Sequence, residues 1–300
     1  MRKRKIRGSI DNKVLDGYFP PNFPGYLITA EVKALVGTLR ISVEELISKL
    51  LPLAAARAIA PVSGYKVGCV CRGESGNLYF GSNIEFPGED LSATIHAEQA
   101  AIANAIAFGE TGIKAMMVSA PPCGGCRQFI KELHGAEKLR IYLPNRDPLL
   151  LNDLLPSGFG PGDLKSDSRL MNSEPQAMEL IDDTEDKLVL KALEAASKSY
   201  APYSGCYSAV ALETNRGFTF IGLYAENAAY NNSLLPMQAA IAVLIMRAER
   251  YADIGRAVLV QTRNAKIDLA AATVQTFKSI SQLPLEIFYA DLSSLKNIPA

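Results

Sequence analysis

The sequence has few histidines, few cysteines and no excess of charge of either sign. Its 31 Lys and Arg residues balance 31 Asp and Glu residues, so the formal net charge is zero. Nucleic-acid binding and attraction to anionic lipid both require a basic excess, so this balance disfavours either class of partner. Five cysteines in 300 residues are too sparse, and odd in number, for a disulfide scaffold. We therefore expect a cytoplasmic protein.

The sequence also lacks a long hydrophobic run. Its longest apolar stretch, 234–246, contains Gln238 and falls short of the roughly 20 residues that span a bilayer. The basic residues 1–7 are followed by no apolar segment of the kind found in secretory signals, so we expect neither a signal peptide nor a membrane partner. Hydrophobic residues make up 48% of the chain, which predicts a packed core.

An internal repeat organises the sequence. Three short segments recur in the same order, at an offset of 141 for the first two (201 − 60) and 139 for the third. The pairs are APVSG at 60–64 with APYSG at 201–205, GSNIE at 81–85 with GLYAE at 222–226, and QAAIA at 99–103 with QAAIA at 238–242. Chance similarity explains the last pair but not the ordered series, which indicates a duplication.

Each copy has the pattern helix, strands, helix, strand, which predicts an α/β fold. In the first copy, Ser42 to Glu45 forms a capping box that opens an amphipathic helix, and a second helix is predicted from about His96 to Phe108. We predict a small N-terminal helical element over residues 1–41, a first domain over 42–150, a connector over 151–180 and a second domain over 181–300.

The first copy contains a motif suited to a metal. His96-Ala97-Glu98 is followed 25 residues after Glu98 by Cys123, and then by Cys126, in the pattern H-x-E and P-C-x-x-C. One imidazole and two thiolates supply three ligands for Zn²⁺ and leave the fourth tetrahedral position for water. Glu98 would lie beside that water as a proton shuttle. This combination is the signature of zinc deaminases that act on nucleobases.

Residues 43–300 resemble the dimeric, two-copy type of cytidine deaminase. The resemblance rests on the stretches SGYKVG, GSNIEFP, TIHAEQAAIANA, VSAPPCGGCRQF, LPSGFGPGDL and APYSG. It implies a duplicated three-layer α/β/α fold, one zinc per subunit and a homodimer whose sites are completed across the interface. It also implies hydrolytic deamination of cytidine and deoxycytidine in pyrimidine salvage.

The same resemblance implies roles for substrate-binding residues. Asn83 and Glu85 would bind the ribose hydroxyls, and Tyr65, where bacterial members usually carry Phe, would stack near the base. Phe159 would reach the base from the neighbouring subunit. Ala97, between the metal ligand and the acid, would also contact the substrate.

The second copy has lost the metal motif. Where QAAIA recurs, His96 falls on Leu235 and Glu98 on Met237, and no cysteine follows Cys206. Two alternatives to a nucleoside deaminase remain at this point: a deaminase acting on a base in a polynucleotide, and a structural-zinc binding module. The zero net charge disfavours the first. The second is disfavoured because structural zinc sites usually have four protein ligands, whereas this motif offers three and an additional Glu98.

Overall fold

The computed structural model describes residues 19–293, apart from position 21. The helices are α1 Thr29–Leu39, α2 Val43–Ala55, α3 Ala97–Ala107, α4 Gly124–Ile130, α5 Leu151–Leu154, α6 Lys187–Ser197, α7 Pro236–Met246 and α8 Ala270–Lys278. The strands are β1 Tyr26–Leu27, β2 Gly68–Gly73, β3 Leu78–Ser82, β4 Ile113–Val118, β5 Arg140–Tyr142, β6 Leu149–Leu150, β7 Met178–Leu180, β8 Ser208–Thr214, β9 Thr219–Leu223, β10 Ile254–Thr262 and β11 Leu285–Leu292.

Two sheets repeat one topology. The first has the order β1-β3-β2-β4-β5-β6 and the second β9-β8-β10-β11-β7. Each contains an antiparallel hairpin, β2–β3 or β8–β9, whose first strand pairs antiparallel with β4 or β10, and that strand pairs parallel with β5 or β11. The pairing of Gly68 with Ser82 returns as that of Ala209 with Leu223, which preserves the offset of 141 on both strands. The predicted duplicated α/β fold is confirmed.

Close backbone contacts show that helices cover both faces of the first sheet. A Cβ on Gly68 would lie 2.5 Å from the carbonyl oxygen of Leu51 in α2. A Cβ on Gly81 would lie 2.2 Å from the carbonyl oxygen of Ala97 in α3. Because Gly81 pairs with Cys69, the residue after Gly68, the two glycines face opposite sides of the sheet. This places α2 and α3 in separate layers around the sheet.

The two copies join through α3 and α7, which pack against each other. Every residue of α7 is buried, in keeping with its almost uninterrupted apolar sequence, and a helix that is apolar on all sides requires cover on all sides. One hydrophobic cluster therefore runs through both copies, including Ile102 of α3 and Ile241 of α7. A smaller cluster lies on the other face of the second sheet, beneath α6.

Residues near the N-terminus pack against the first sheet. Strand β1 pairs antiparallel with β3, and Leu27 and Val32 lie in the main core. Residues 151–180 contain α5, a short 3-10 helix and β7, the last of which joins the second sheet. The predicted domain boundaries stay predictions, and the basic residues 1–7 lie outside the described residues.

Candidate active site

The first candidate ligand, His96, lies where an extended segment turns into α3. Ile95 forms a bridge with Ile84 next to the end of β3, and His96 is the extended residue that caps the helix. The Gln99 side chain accepts the backbone N–H of His96 at 3.1 Å, which satisfies a donor that the helix cannot use. His96 and Glu98 consequently lie within the first turn, as the motif predicts.

The two candidate thiol ligands lie at the start of α4. Cys123 is the cap residue, and its Sγ accepts the backbone N–H of Cys126 at 3.4 Å. Arg127 fixes this turn by donating to the carbonyl of Pro122 at 2.9 Å and to that of Leu154 at 2.8 Å. Cys126 is buried while Cys123 is exposed, so the pair spans the wall of a pocket.

These three side chains have the geometry and chemistry of a zinc site. The ligand atoms of His96, Cys123 and Cys126 all lie within 4.8 Å of one another, and Cys123 Sγ is 3.5 Å from His96 Nδ1. Tetrahedral zinc with Zn–N and Zn–S bonds of 2.0–2.3 Å holds such atoms about 3.6 Å apart. Among the described residues no other group of three or more potential ligands comes together, and no fourth His, Cys, Asp or Glu joins this one.

The ionisation of the thiols suits a metal. Hydrogen bonds from Cys126 and then His96 lower the pKa of Cys123 to about 3. The pKa of Cys126 is raised well above its usual value by the hydrogen bond to Cys123 and by burial. Cys123 is therefore the more acidic thiol of the pair. Metal ligation requires deprotonated thiols, which the lowered pKa of Cys123 favours.

Glu98 lies beside this cluster with only 4% of its surface exposed. Burial raises the pKa of its carboxyl group, and its side chain is hydrogen-bonded to Cys126. A carboxyl group with a raised pKa accepts and returns a proton more readily near neutral pH than an exposed glutamate does. The fold thus places a carboxyl group capable of proton transfer next to the candidate metal ligands.

Asn83 and Glu85 lie directly after β3, on either side of Ile84. Since Ile84 pairs with Ile95, the chain holds both polar residues next to the segment that carries His96. Asn83 donates to the carbonyl of Tyr65 at 2.9 Å and accepts from the backbone of Val67 at 2.8 Å.

Glu85 ties down the loop at 62–63. Its carboxylate accepts the backbone N–H groups of Val62 at 2.8 Å and Ser63 at 3.0 Å, as well as the Ser63 hydroxyl. These hydrogen bonds outweigh the effect of burial and lower the pKa of Glu85. A carboxylate has about four acceptor positions, so capacity for a ligand hydroxyl remains.

Two aromatic side chains named from the sequence are exposed on this chain. Tyr65 is 63% exposed and Phe159 is 45% exposed. Gln128 of α4 donates to the carbonyl of Phe159 at 2.7 Å, which anchors the Phe159 loop beside the helix that carries the cysteines. Ala97, by contrast, is buried in the first turn of α3.

The structure adds residues that the motifs did not indicate. A cavity of 150 Å³ beside the ligands is lined by residues of both copies. Those from the second copy are Asn231, Asn232, Ser233 and Gln238. Gln238 occupies the position of Gln99 in the repeat, and its side chain donates to the carbonyl of Ala93 at 2.8 Å. The repeat alone could have indicated Gln238, but not the meeting of the two copies at this cavity.

The second copy keeps the backbone arrangement without the ligands. Leu235 caps α7 as His96 caps α3, and its N–H donates to Gln238 at the same 3.1 Å. Met237 is fully buried where the first copy has Glu98. The two copies thus share this local backbone arrangement, but the second has apolar side chains where the first has the candidate ligand His96 and Glu98.

Comparisons with known proteins match both copies. A model of the "cytidine and deoxycytidylate deaminase zinc-binding region" matches residues 41–142, and another with the same description matches 151–274. A cytidine deaminase of Shewanella amazonensis is 43% identical over 269 residues, or 90% of each chain. One from Shewanella sp. strain MR-4 is 42% identical over 296 residues, covering 97% of this chain and 99% of its own.

A solved cytidine deaminase from Mycobacterium tuberculosis is 32% identical with a TM-score of 0.36, and the match covers 39% of this chain and 97% of that one. Within the described part of the chain, no helix combines the length and apolar character needed to cross a membrane.

Proposed function

Because the chain belongs to the cytidine deaminase family, we propose that it hydrolyses free cytidine and 2′-deoxycytidine to uridine and 2′-deoxyuridine with release of ammonia. The proposal is carried by the clustering of His96, Cys123 and Cys126 at one cavity, with the buried Glu98 two residues from His96. In the cell this reaction would serve pyrimidine salvage in the cytoplasm.

His96, Cys123 and Cys126 would hold one zinc ion per chain. Zinc bound there supplies Lewis-acid activation of water for attack on C4 of the cytosine ring. With three ligands from the described residues, the set resembles a catalytic zinc site, which keeps one position for water, more than a closed structural site.

Glu98 moves the protons of the reaction. It takes a proton from the attacking water and delivers it to N3 of cytosine as the C4–O bond forms, which leaves C4 tetrahedral. It then passes the proton of the new C4 hydroxyl to the amino group. The C4–N bond breaks as the C4=O double bond forms, so that water and cytidine become uridine and ammonia. The raised pKa of Glu98 supports both halves of this transfer, since the group must act first as base and then as acid.

The sugar is held by Asn83 and Glu85. Both are nearly buried and are fixed by hydrogen bonds to the loop at 62–67. Binding of the sugar therefore costs little further side-chain entropy. Tyr65 stacks near the base, and the backbone at Ala97 contacts it. Positioning the ring against the activated water supplies part of the rate acceleration.

A homodimer completes each site. Phe159 is exposed although it lies on a loop fixed next to α4, which suits a contact with the base in the neighbouring subunit. Tyr65 is exposed on the same chain and provides another apolar surface for such an assembly.

Substitution of the acid and of the two histidines tests the proposal. Glu98→Gln is expected to retain zinc while losing 10²- to 10⁴-fold in cytidine deamination, the usual range for removal of a general acid–base group. His96→Ala is expected to lose both zinc and activity. His134→Ala is the matched control, because the His134 ring contacts Asn172 at 3.4 Å and is not among the zinc ligands.

Zinc content, ammonia release and loss of cytosine absorbance are measured on each variant. A cytosine-containing oligonucleotide incubated in parallel is expected to stay unchanged. Turnover of cytidine by Glu98→Gln at the wild-type rate, or deamination of the oligonucleotide alone, would contradict the proposal.

A further inference from the structure

The second copy contains a larger cavity than the metal pocket. It has a volume of 640 Å³, within the range of small-molecule sites. Its lining includes Tyr203, Tyr224, Glu226, Tyr230, Leu235 and Lys266. Two of these residues, Tyr224 and Glu226, stand 141 positions after Asn83 and Glu85, the proposed ribose-binding residues of the first copy.

A buried carboxylate repeats the role of Glu85. Glu226 stands 141 positions after Glu85 and is 3% exposed. It accepts the backbone N–H groups of Tyr203 at 2.8 Å and Ser204 at 3.2 Å, as Glu85 accepts those of the loop at 62–63. The second copy thus has a structural counterpart of the proposed ribose-binding carboxylate, although it lacks the zinc ligands.

The two carboxylates differ at their second oxygen. In the first copy Oε1 of Glu85 accepts the hydroxyl of Ser63. In the second copy Oε1 of Glu226 faces the Tyr224 hydroxyl at 3.5 Å, the long limit of a hydrogen bond. A buried carboxylate oxygen with so weak a partner gains by accepting a ligand hydroxyl.

Aromatic and apolar surfaces complete the cavity. The rings of Tyr203 and Tyr230 lie 6.2 Å apart at 53°. Tyr230 is 65% exposed, and its φ of 45° is in the left-handed region, which a bulky residue seldom adopts. Leu235, which stands where the first copy has His96, forms an apolar part of the cavity wall together with Leu269. These surfaces suit a flat heterocycle better than an ion.

We propose that this cavity is a second nucleoside-binding site that binds without deaminating. The ribose hydroxyls are accepted by Glu226 and the base stacks against Tyr230. This inference rests on the proposed role of Glu85 in ribose binding. Without counterparts of the zinc ligands and of Glu98, the bound nucleoside is not turned over there. Ser92 and Gln238 line both this cavity and the metal pocket, so the two sites lie side by side.

Counting bound uridine on the zinc-loaded protein tests the proposal. Uridine is used because it is not a substrate for deamination, and equilibrium dialysis gives the number bound per chain. Glu226→Gln is expected to reduce that number by one, and the matched Glu85→Gln is expected to remove the other site. Tyr230→Asn suits the left-handed backbone and removes only the ring, so it is expected to weaken one site about tenfold, as loss of a base-stacking partner does.

The same number and affinity of bound uridine in wild type, Glu226→Gln and Tyr230→Asn would overturn the proposal. The same result is expected if another molecule of this protein fills the cavity. Cytidine deamination is assayed separately on each preparation, so a failure of the proposed activity is distinguishable from a failure of the second site.

Discussion

A single methyl group at Gly81 is expected to displace the helix that carries His96 and Glu98. Gly81 lies in β3 directly beneath the first turn of α3. A Cβ at this position would lie 2.2 Å from the carbonyl oxygen of Ala97 and 2.3 Å from the N atom of Ala101. Both are backbone atoms, so no side-chain rotation can relieve the contact. Gly81→Ala therefore forces the strand and the helix apart.

The size of the effect follows from these distances. Ordinary contact begins at 3.4 Å, so the helix must move by up to 1.2 Å (3.4 − 2.2). Overpacking of this kind costs about 1–3 kcal/mol of the free energy of unfolding. A misplacement of about 1 Å at a reacting group costs about 10²-fold in rate. We expect Gly81→Ala to lose about 2 kcal/mol in stability and about 10²-fold in kcat/KM.

The second copy provides the matched control. Gly222 is the repeat equivalent of Gly81, and a Cβ there would lie 2.0 Å from the N atom of Ala240 in α7. Because α7 carries neither ligand nor acid, Gly222→Ala is expected to lose similar stability while keeping kcat/KM within a few-fold. Gly124→Ala, at the first turn of α4 with open space around its Cβ, is expected to change neither quantity.

Urea unfolding of the zinc-loaded proteins, followed by circular dichroism, gives the free energies. Loss of cytosine absorbance gives kcat/KM. Wild-type stability in Gly81→Ala, or equal losses of kcat/KM in Gly81→Ala and Gly222→Ala, would refute the reasoning.

Three further predictions concern the metal, the start of α6 and a contact between the two copies. A chelator that strips zinc is expected to abolish cytidine deamination, and one equivalent of zinc per chain to restore it; activity in the stripped protein would contradict the metal's role. Burial alone would raise the pKa of Asp186, but hydrogen bonds from Arg256 and from the first turn of α6 lower it below the ordinary 3.8. Its stabilisation is therefore present above pH 3.8 and lost as the pH falls through the lowered pKa. Asp186→Ala should cost about 1 kcal/mol at pH 7 in urea unfolding, and a difference from wild type that did not shrink below pH 3.8 would oppose this account. Glu132→Ala removes the buried acceptor of the Tyr203 hydroxyl and of the Ala228 N–H. The Tyr200 hydroxyl, which also donates to Glu132, keeps the carbonyl of Ser168 at 3.1 Å. The variant should lose about 3 kcal/mol in the free energy of unfolding, whereas a loss below 1 kcal/mol would show that these groups find other partners.

The sequence could indicate the candidate metal ligands because the motif that contains them is local. His96 and Glu98 share one helical turn, and Cys123 and Cys126 share another. A short motif therefore specifies most of the site before the tertiary fold is known.

The surroundings of the site depend on long-range packing, which no local pattern encodes. No sequence pattern around Asn231 predicts that this residue lines the same cavity as Cys123, which is more than a hundred residues away along the chain. The pairing of β1 with β3 was equally invisible, because two residues, Tyr26 and Leu27, are too short a strand to show an alternating pattern.

The burial of α7 limits how far the second copy can diverge. Leu235 and Met237 stand where the first copy has His96 and Glu98, so these positions of the fold accept apolar side chains. Positions such as Ile241 and Leu244, however, belong to the core that also encloses α3. Substitutions can thus remove the zinc-ligand and acid side chains from the second copy. Its buried residues are constrained by selection on the active copy, because they pack in the same core. We expect the second copy to persist in descendants of this protein as an inactive but indispensable half.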